Sequence, residues 1–132
     1  MQRSDTVKHL PPELKYTKTH EWVKVESDGT VTVGITHHAQ ALLGDMVFVE
    51  LPEYNHEFKQ AAEMAVLESV KAAADVYAPL SGKIIDVNSL LQNQPELINK
   101  DPYGEGWICK LQPSHTDELN NLLSAEEYGK LD

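Results

Sequence analysis

The chain has 132 residues, a formal net charge of −10 and a single cysteine. A chain of this length fits one domain that buries about two-thirds of its unfolded surface. The excess of carboxylates argues against binding to nucleic-acid phosphates or anionic membranes, because both need clustered basic residues. One cysteine excludes an internal disulfide. No apolar run approaches the length of a membrane span, and the polar N-terminus lacks the apolar core of a secretory signal.

The first part of the chain predicts an arm followed by a β-hairpin. Residues 1–14 are interpreted as a loosely held N-terminal arm, and residues 15–132 as a single domain. Aromatic and branched residues between 16 and 25 predict a strand. Asp28-Gly29 is typical of a two-residue hairpin turn, so residues 30–35 are predicted to form the return strand.

A short helix is predicted at residues 37–43. Thr36 is a favourable N-cap, and Gly44 is a favourable residue to end the helix. The apolar side of this helix is predicted to consist of Ala39, Leu42 and Leu43.

The middle of the chain alternates strand patterns with turn formers. Further strands are predicted at residues 46–51, 57–59, 64–67, 76–80, 83–87 and 107–111, with irregular or briefly helical structure at 88–100. Cys109 shares a strand face with Trp107 and Leu111, so we interpret it as a small buried hydrophobe rather than a nucleophile.

The C-terminus predicts helices within residues 114–130. Asp117 and Glu118 suit the first turn of a helix, where acidic side chains complement the helix dipole. Ser124 and Glu127 have the spacing of a capping box. The apolar stripe of this segment is short, so we expect it to pack on the sheet rather than bind a partner.

Lys71 lies at the tip of a predicted hairpin, between the apolar runs 64–67 and 76–80. Its stem is long and flexible, and its amine can be converted to an amide, so it is placed like a covalent attachment point. Position alone does not prove this interpretation, because most exposed lysines are simply solvated.

Residues 66–72, followed by 75–79 and 81–82, resemble the lipoylation motif of the glycine cleavage system H-protein family. Other segments are similar to the same family and occur in the family's order: 16–23, 33–36, 38–40, 43–45, 47–52, 96–99 and 101–107. The resemblance extends over residues 14–128, which is nearly the whole chain.

The resemblance implies a mainly β fold, a flattened barrel or two-sheet sandwich of the lipoyl/biotinyl type, with short helices and a helical C-terminus. It implies a carrier rather than an enzyme, with lipoate attached to Lys71 as an amide. The carrier would take an aminomethyl group from a pyridoxal-phosphate glycine decarboxylase to a tetrahydrofolate-dependent aminomethyltransferase. The resulting dithiol would then go to dihydrolipoyl dehydrogenase, a flavin enzyme.

The resemblance also implies roles for residues around Lys71. The lipoate-attaching enzymes would recognise the hairpin through Glu68, Val70, Ala72 and Asp75. By family analogy, Glu21 is a candidate for binding the loaded amine in a sheltered cleft; the alternative is a solvated strand carboxylate.

The chain departs from the family at several positions near this hairpin. Leu42 stands where some members carry a histidine, and alanines occur at 61, 62 and 65, where glycine is common nearby. Ala74 replaces a frequent serine. These departures concern details of the hairpin and cleft rather than the modification of Lys71.

Several alternatives remain open at this stage. A biotin carrier on the same scaffold is disfavoured by Val70 and Ala72, because such carriers usually flank the lysine with methionines. An H-like protein that donates lipoyl groups to other complexes is a second alternative, and a pure interaction protein is a third. An enzyme is disfavoured, since the six histidines have no recognised metal-ligand spacing and no serine nucleophile elbow occurs.

We expect a monomer in the bacterial cytoplasm or, for a mature eukaryotic form, in the mitochondrial matrix.

Overall fold

The computed structural model describes residues 10–131 of the chain. Its strands form two antiparallel sheets that face each other as a sandwich and do not close into a barrel. The larger sheet has six strands in the order β1-β2-β3-β9-β8-β5, and the smaller has three in the order β4-β6-β7. The predicted mainly β, two-sheet fold is thereby confirmed.

Nine strands make up the two sheets within the described residues. In chain order they are β1 Lys15–Tyr16, β2 Glu21–Val25, β3 Val31–Ile35, β4 Met46–Glu50, β5 Glu57–Phe58, β6 Glu63–Ser69, β7 Ala73–Tyr77, β8 Gly82–Val87 and β9 Cys109–Pro113.

Short helices connect and flank these strands. They are α1 His37–Leu43, α2 Leu90–Asn93, α3 Leu97–Lys100, a 3-10 helix Thr116–Asn121 and α4 Ala125–Gly129. None of the helices in residues 10–131 is long and apolar enough to cross a membrane.

Several local signals in the sequence are confirmed. The hairpin predicted at Asp28-Gly29 joins β2 to β3, and Gly29 has a φ of +90°. Its loop has three residues, 27–29, rather than the predicted two, because the Glu26 amide donates to the Thr30 carbonyl at 2.8 Å. The Thr36 side chain accepts a hydrogen bond from the Ala39 amide at the start of α1. Ser124 and Glu127 form both bonds of a capping box at the start of α4.

The main core lies between the two sheets and is built from the inward side chains of strands from both. A second, smaller cluster joins β1 and β2 to α4 and is made of Leu14, Tyr16, Trp22 and Tyr128.

The C-terminal end of the predicted arm is held against the domain. Leu14 is buried, and the Pro11 carbonyl accepts a hydrogen bond from the Tyr16 hydroxyl at 2.7 Å. The rest of that predicted arm, residues 1–9, lies outside the described residues.

Leu42 lies on the same side of α1 as Ala39 and Leu43, as predicted, because all three border one cleft, but 60 % of its surface is exposed. Two strand bounds of the sequence prediction are wrong. The strand predicted at residues 76–80 is β7 at Ala73–Tyr77. The last strand begins at Cys109 rather than Trp107, since the Trp107 amide instead bonds the Gly104 carbonyl in a turn. Cys109 is fully buried, as predicted, and burial raises the pKa of its thiol to about 12.

Candidate functional site

Lys71 lies at an exposed tight turn between β6 and β7, which we call the hairpin tip (residues 70–72). The Ser69 amide donates to the Ala72 carbonyl at 2.8 Å and closes the turn. The Ser69 hydroxyl accepts hydrogen bonds from the Lys71 and Ala72 amides, each at 3.1 Å. These contacts fix the backbone of the tip and leave the side chain of Lys71 exposed to solvent.

The far end of the Lys71 side chain lies over Gly44, at the end of α1. The Val70 amide donates to the Asp45 carbonyl at 3.0 Å, which attaches the tip to the loop before β4. A Cβ atom placed on Gly44 would lie 3.2 Å from the Cε atom of Lys71, so a larger residue would crowd the stem. Gly44 also has a φ of +84°, which favours glycine and ends α1. One glycine therefore ends the helix and leaves space for the lysine.

The other residues predicted around Lys71 lie on the same hairpin. Glu68 is exposed on β6, and Asp75 is exposed on β7, where it pairs with Val66. Val70 is 67 % exposed at the tip. Within residues 10–131 the one ion pair joins Lys130 to Glu126, so neither carboxylate forms an ion pair with Lys71.

Glu21, at the start of β2, is buried rather than solvated, with 1 % of its surface exposed. Its Oε1 atom accepts hydrogen bonds from the Thr17 hydroxyl and, at 2.6 Å, from the Thr19 hydroxyl. Its Oε2 atom accepts from the Tyr77 amide at 2.9 Å. Because Tyr77 ends β7, this carboxylate links the larger sheet to the strand that leaves the hairpin tip. We call residues 17–21 the carboxylate turn.

The buried position of Glu21 changes its electrostatics. Burial raises the pKa of this carboxyl, and the hydrogen bonds from Thr17, Thr19 and Tyr77 partly offset that rise. No basic side chain in the described part of the chain forms an ion pair with it. Glu21 is therefore a preorganised acceptor that would gain from the approach of a cationic or hydrogen-bond-donating group.

A cleft of about 170 Å³ lies between the carboxylate turn and the hairpin. Its lining is mainly apolar and comes from both sheets and from α1; it includes Glu21, Ile35, Leu42, Leu43, Leu67 and Asp75. The structure therefore brings Glu21 and Asp75 to one cleft. Leu42 and Leu43 border it just before Gly44, against which the stem of Lys71 packs.

Sequence reasoning missed part of this site. The alternating Thr17, Thr19 and Glu21 could have suggested that two hydroxyls serve one carboxylate, and this spacing is the only local signal. Tyr77 contributes through its backbone amide, which leaves no mark in the sequence. Among residues 10–131, no cluster of histidine, cysteine or carboxylate side chains could hold a metal ion.

The geometry fits a covalently attached group better than a diffusible one. The single lysine at the tip is exposed and lacks an ion pair within the described residues, and an apolar cleft with a buried carboxylate lies nearby. A two-sheet sandwich that presents a lysine in this way defines a carrier domain of the lipoyl/biotinyl type.

Comparisons with known proteins identify the family. The model of the family described as "Glycine cleavage H-protein" matches residues 14–132. A glycine cleavage system H protein of Psychrobacter sp. is 56 % identical over 120 residues, which cover 91 % of this chain and 95 % of the relative. That of Neisseria meningitidis serogroup B is 54 % identical, covering 94 % and 98 %. The chain therefore belongs to the glycine cleavage H-protein family, which supplies the lipoyl carrier of the glycine cleavage system.

A solved structure agrees with this assignment. The crystal structure of a glycine cleavage system H protein from Mycobacterium marinum superposes with a TM-score of 0.83 at 40 % sequence identity. The match covers 90 % of this chain and 95 % of that one, so the two proteins share their fold.

Proposed function

We propose that lipoate is attached to Lys71 through an amide and that the loaded arm rests in the cleft beside Glu21. The observation that carries this proposal is the exposed hairpin tip beside a mainly apolar cleft that contains a buried, hydrogen-bonded carboxylate. Lipoate would supply a disulfide, one sulfur of which takes the aminomethyl group; transfer of that group to the next acceptor would leave the attached lipoyl group as a dithiol. The protein itself would be a non-catalytic carrier.

The charges of the chain fit such an arm. Converting one ammonium to a neutral amide would take the formal net charge from −10 to −11. An arm without this ammonium can enter an apolar tunnel of a partner without the cost of burying a charge. The tight turn at Ser69 would hold the root of the arm while its far end moves among partners.

We propose that the partners are the pyridoxal-phosphate glycine decarboxylase, the tetrahydrofolate-dependent aminomethyltransferase, dihydrolipoyl dehydrogenase and the lipoate-attaching enzymes. The attaching enzymes would read the exposed carboxylates of Glu68 and Asp75 together with Val70 and Ala72 at the tip. The strongly acidic chain favours partners with basic docking surfaces and disfavours self-association, which supports a monomer. The relatives named above are bacterial, and we propose a cytoplasmic location on that ground.

Within the cleft, Glu21 would receive the amine of the loaded arm. A carboxylate that is already buried and oriented needs little rearrangement when a cationic amine arrives, and the attraction is strong where water is excluded. The apolar walls would also keep water from the reactive aminomethyl group. Asp75, which lines the same cleft, would add a second negative charge near its rim.

Intact-mass spectrometry of protein from lipoate-competent cells tests the attachment. We expect the mass increase of one lipoyl amide in the wild type and in the matched control Lys83→Arg, which changes another exposed lysine. Lys71→Arg should show no increase. An unmodified wild type, a biotin adduct, or modification that persists in Lys71→Arg would contradict the proposal.

Reconstitution with the three partner enzymes separates a glycine cleavage carrier from a lipoyl relay. With the lipoylated wild type we expect glycine-dependent reduction of the nicotinamide cofactor, and with Lys71→Arg we expect none. A lipoylated protein that donates its lipoyl group to other complexes but supports no glycine-dependent reduction would instead identify a relay.

A further inference from the structure

The C-terminal helix contacts the carboxylate turn through one buried tyrosine. The capping box at Ser124 fixes the start of α4, and Tyr128 near its end is only 6 % exposed. The ring of Tyr128 stacks on that of Tyr16, with centroids 4.9 Å apart and planes 16° from parallel. Its hydroxyl lies 2.6 Å from His20 Nδ1 and 2.8 Å from Thr36 Oγ1. A side chain held in this way is a rigid hydrogen-bonding partner for His20.

His20 has a backbone conformation that needs such support. Its φ is +77°, in the left-handed region that residues with a Cβ seldom occupy. The His20 amide donates to the Thr17 carbonyl at 3.1 Å, and the His20 carbonyl accepts from the Thr36 amide at 3.0 Å. Conformations of this kind persist only where the surroundings hold them, and they cluster at functional sites.

The conformation of His20 determines where the neighbouring side chains point. Because the chain reverses at His20, the hydroxyls of Thr17 and Thr19 both reach Oε1 of Glu21. The Glu21 amide also donates to the Thr17 hydroxyl at 3.0 Å. If His20 relaxed to an ordinary conformation, this arrangement of hydroxyls around the carboxylate would be lost.

We propose that Tyr128 is a positioning residue for Glu21 and acts through His20 to hold the carboxylate turn in the shape that forms the cleft. The C-terminal helix is then part of the binding site for the loaded arm, although it contributes no residue to the cleft lining. This inference rests on the proposed role of the cleft, and it adds a residue that neither the sequence motif nor the lining of the cleft identifies.

Amide hydrogen exchange on the unmodified protein tests the positioning directly. Tyr128→Phe removes only the hydroxyl, and we expect the Glu21 and Tyr77 amides to exchange roughly three- to tenfold faster, the effect of one lost hydrogen bond. The rates are read relative to the Val33 amide in the central strand β3, which reports on general loss of stability. Equal acceleration of all three amides, or no acceleration, would overturn the proposal.

Tyr103→Phe is the matched control for removal of a tyrosine hydroxyl. Tyr103 is half-buried and packs against the same small cluster, but its hydroxyl accepts from the His37 amide at 3.0 Å and has no hydrogen bond to the carboxylate turn. We expect this variant to leave the Glu21 and Tyr77 amides unchanged relative to Val33. Acceleration as large as in Tyr128→Phe would show that the effect is not specific to the contact with His20, and would overturn the proposal.

Substitutions of His20 provide a second, independent test. In His20→Asn the amide side chain can place a polar atom where Nδ1 lies, and asparagine tolerates the left-handed region. We expect His20→Asn to keep slow exchange at Glu21, whereas His20→Ala should resemble Tyr128→Phe. Similar exchange in the two His20 variants would overturn the proposal.

The lifetime of the aminomethyl-loaded, lipoylated protein completes the test. We expect Tyr128→Phe to shorten this lifetime roughly two- to tenfold, and Glu21→Gln should also shorten it. Lipoylation should be intact in both variants. If Tyr128→Phe speeds exchange but both variants keep the wild-type lifetime, the proposed role of Glu21 fails while the positioning contact stands. If only Glu21→Gln shortens the lifetime and exchange is unchanged, the positioning role of Tyr128 fails instead.

Discussion

The hairpin tip and the carboxylate turn are both tight turns beside the same cleft, but they are held in opposite ways. At the tip, Lys71 and Val70 are exposed, and the turn is fixed by Ser69 and one backbone contact to Asp45. In the carboxylate turn, Glu21 is buried and receives hydrogen bonds from two hydroxyls and one amide. The contrast agrees with the proposed roles: an attachment point at Lys71 must be reached by other proteins, whereas a receiving carboxylate at Glu21 must be oriented before its ligand arrives.

The two turns should also differ in how much substitutions change the free energy of unfolding. An exposed turn depends on few contacts, so substitutions there should change function much more than stability. A buried and strained turn depends on its surroundings, so substitutions near it should alter stability as well.

Gly34→Ala should cause the largest loss of stability, about 3 kcal/mol. Gly34 pairs with Trp22 across β2 and β3, and an added Cβ would lie 2.6 Å from the Trp22 ring. The ring cannot easily move, because it is buried and its Nε1 donates to the Pro102 carbonyl at 2.9 Å. Equilibrium unfolding in denaturant measures the change.

Lys71→Ala serves as the comparison at the exposed hairpin tip. It changes an exposed side chain at the tip, so we expect a change in unfolding free energy within about 0.5 kcal/mol. Similar losses of unfolding free energy for Gly34→Ala and Lys71→Ala would contradict the contrast between the buried strands β2 and β3 and the exposed hairpin tip.

Local signals allowed much of the fold to be predicted from sequence. Asp28-Gly29 indicated a hairpin, Thr36 and Gly44 bounded a helix, and Ser124 with Glu127 indicated a capping box; the structure contains all of these. Each depends on residues within a few positions of one another. Backbone conformation and short-range hydrogen bonds therefore determine them before any tertiary contact forms.

Contacts between distant segments could not be predicted in this way. The burial of Glu21 depends on Tyr77, which is 56 positions away, and the conformation of His20 involves Tyr128, which is 108 positions away. The exposure of Leu42 could not be predicted either: helical spacing placed it on the apolar side of α1, but the neighbouring elements leave it exposed at the rim of the cleft. Patterns along the chain indicate which residues can be buried and not which surfaces meet.

The second prediction concerns the pH dependence of stability. Burial raises the pKa of Glu21 in the folded protein above its ordinary value of 4.5, so the folded state binds its proton more tightly than the unfolded state. The contribution of this group to stability is therefore fully present below pH 4.5 and is lost as pH rises through the raised pKa. The effect should be smaller than that of Gly34→Ala, because three hydrogen bonds partly offset the cost of burying the charge.

Comparison of the wild type with Glu21→Gln separates the titration of Glu21 from that of the other carboxylates, which both proteins share. As pH rises from about 4.5 to 7, we expect the wild type to lose stability relative to Glu21→Gln, which cannot ionise at this position. Unfolding free energies of the two proteins at several pH values give the difference. A difference that is constant over this range, or that changes in favour of the wild type, would contradict the raised pKa.

A small effect is also expected for Ser69→Ala at the hairpin tip. This change removes the acceptor for the Lys71 and Ala72 amides, but both amides are near solvent and can bond water instead, so the loss should be about 0.5 kcal/mol. Amide exchange at these two positions should become faster while Glu21 is unaffected, and Ser114→Ala, which changes another exposed serine, should alter neither region. Faster exchange at Glu21 in Ser69→Ala would show that the tip and the carboxylate turn are coupled rather than held independently.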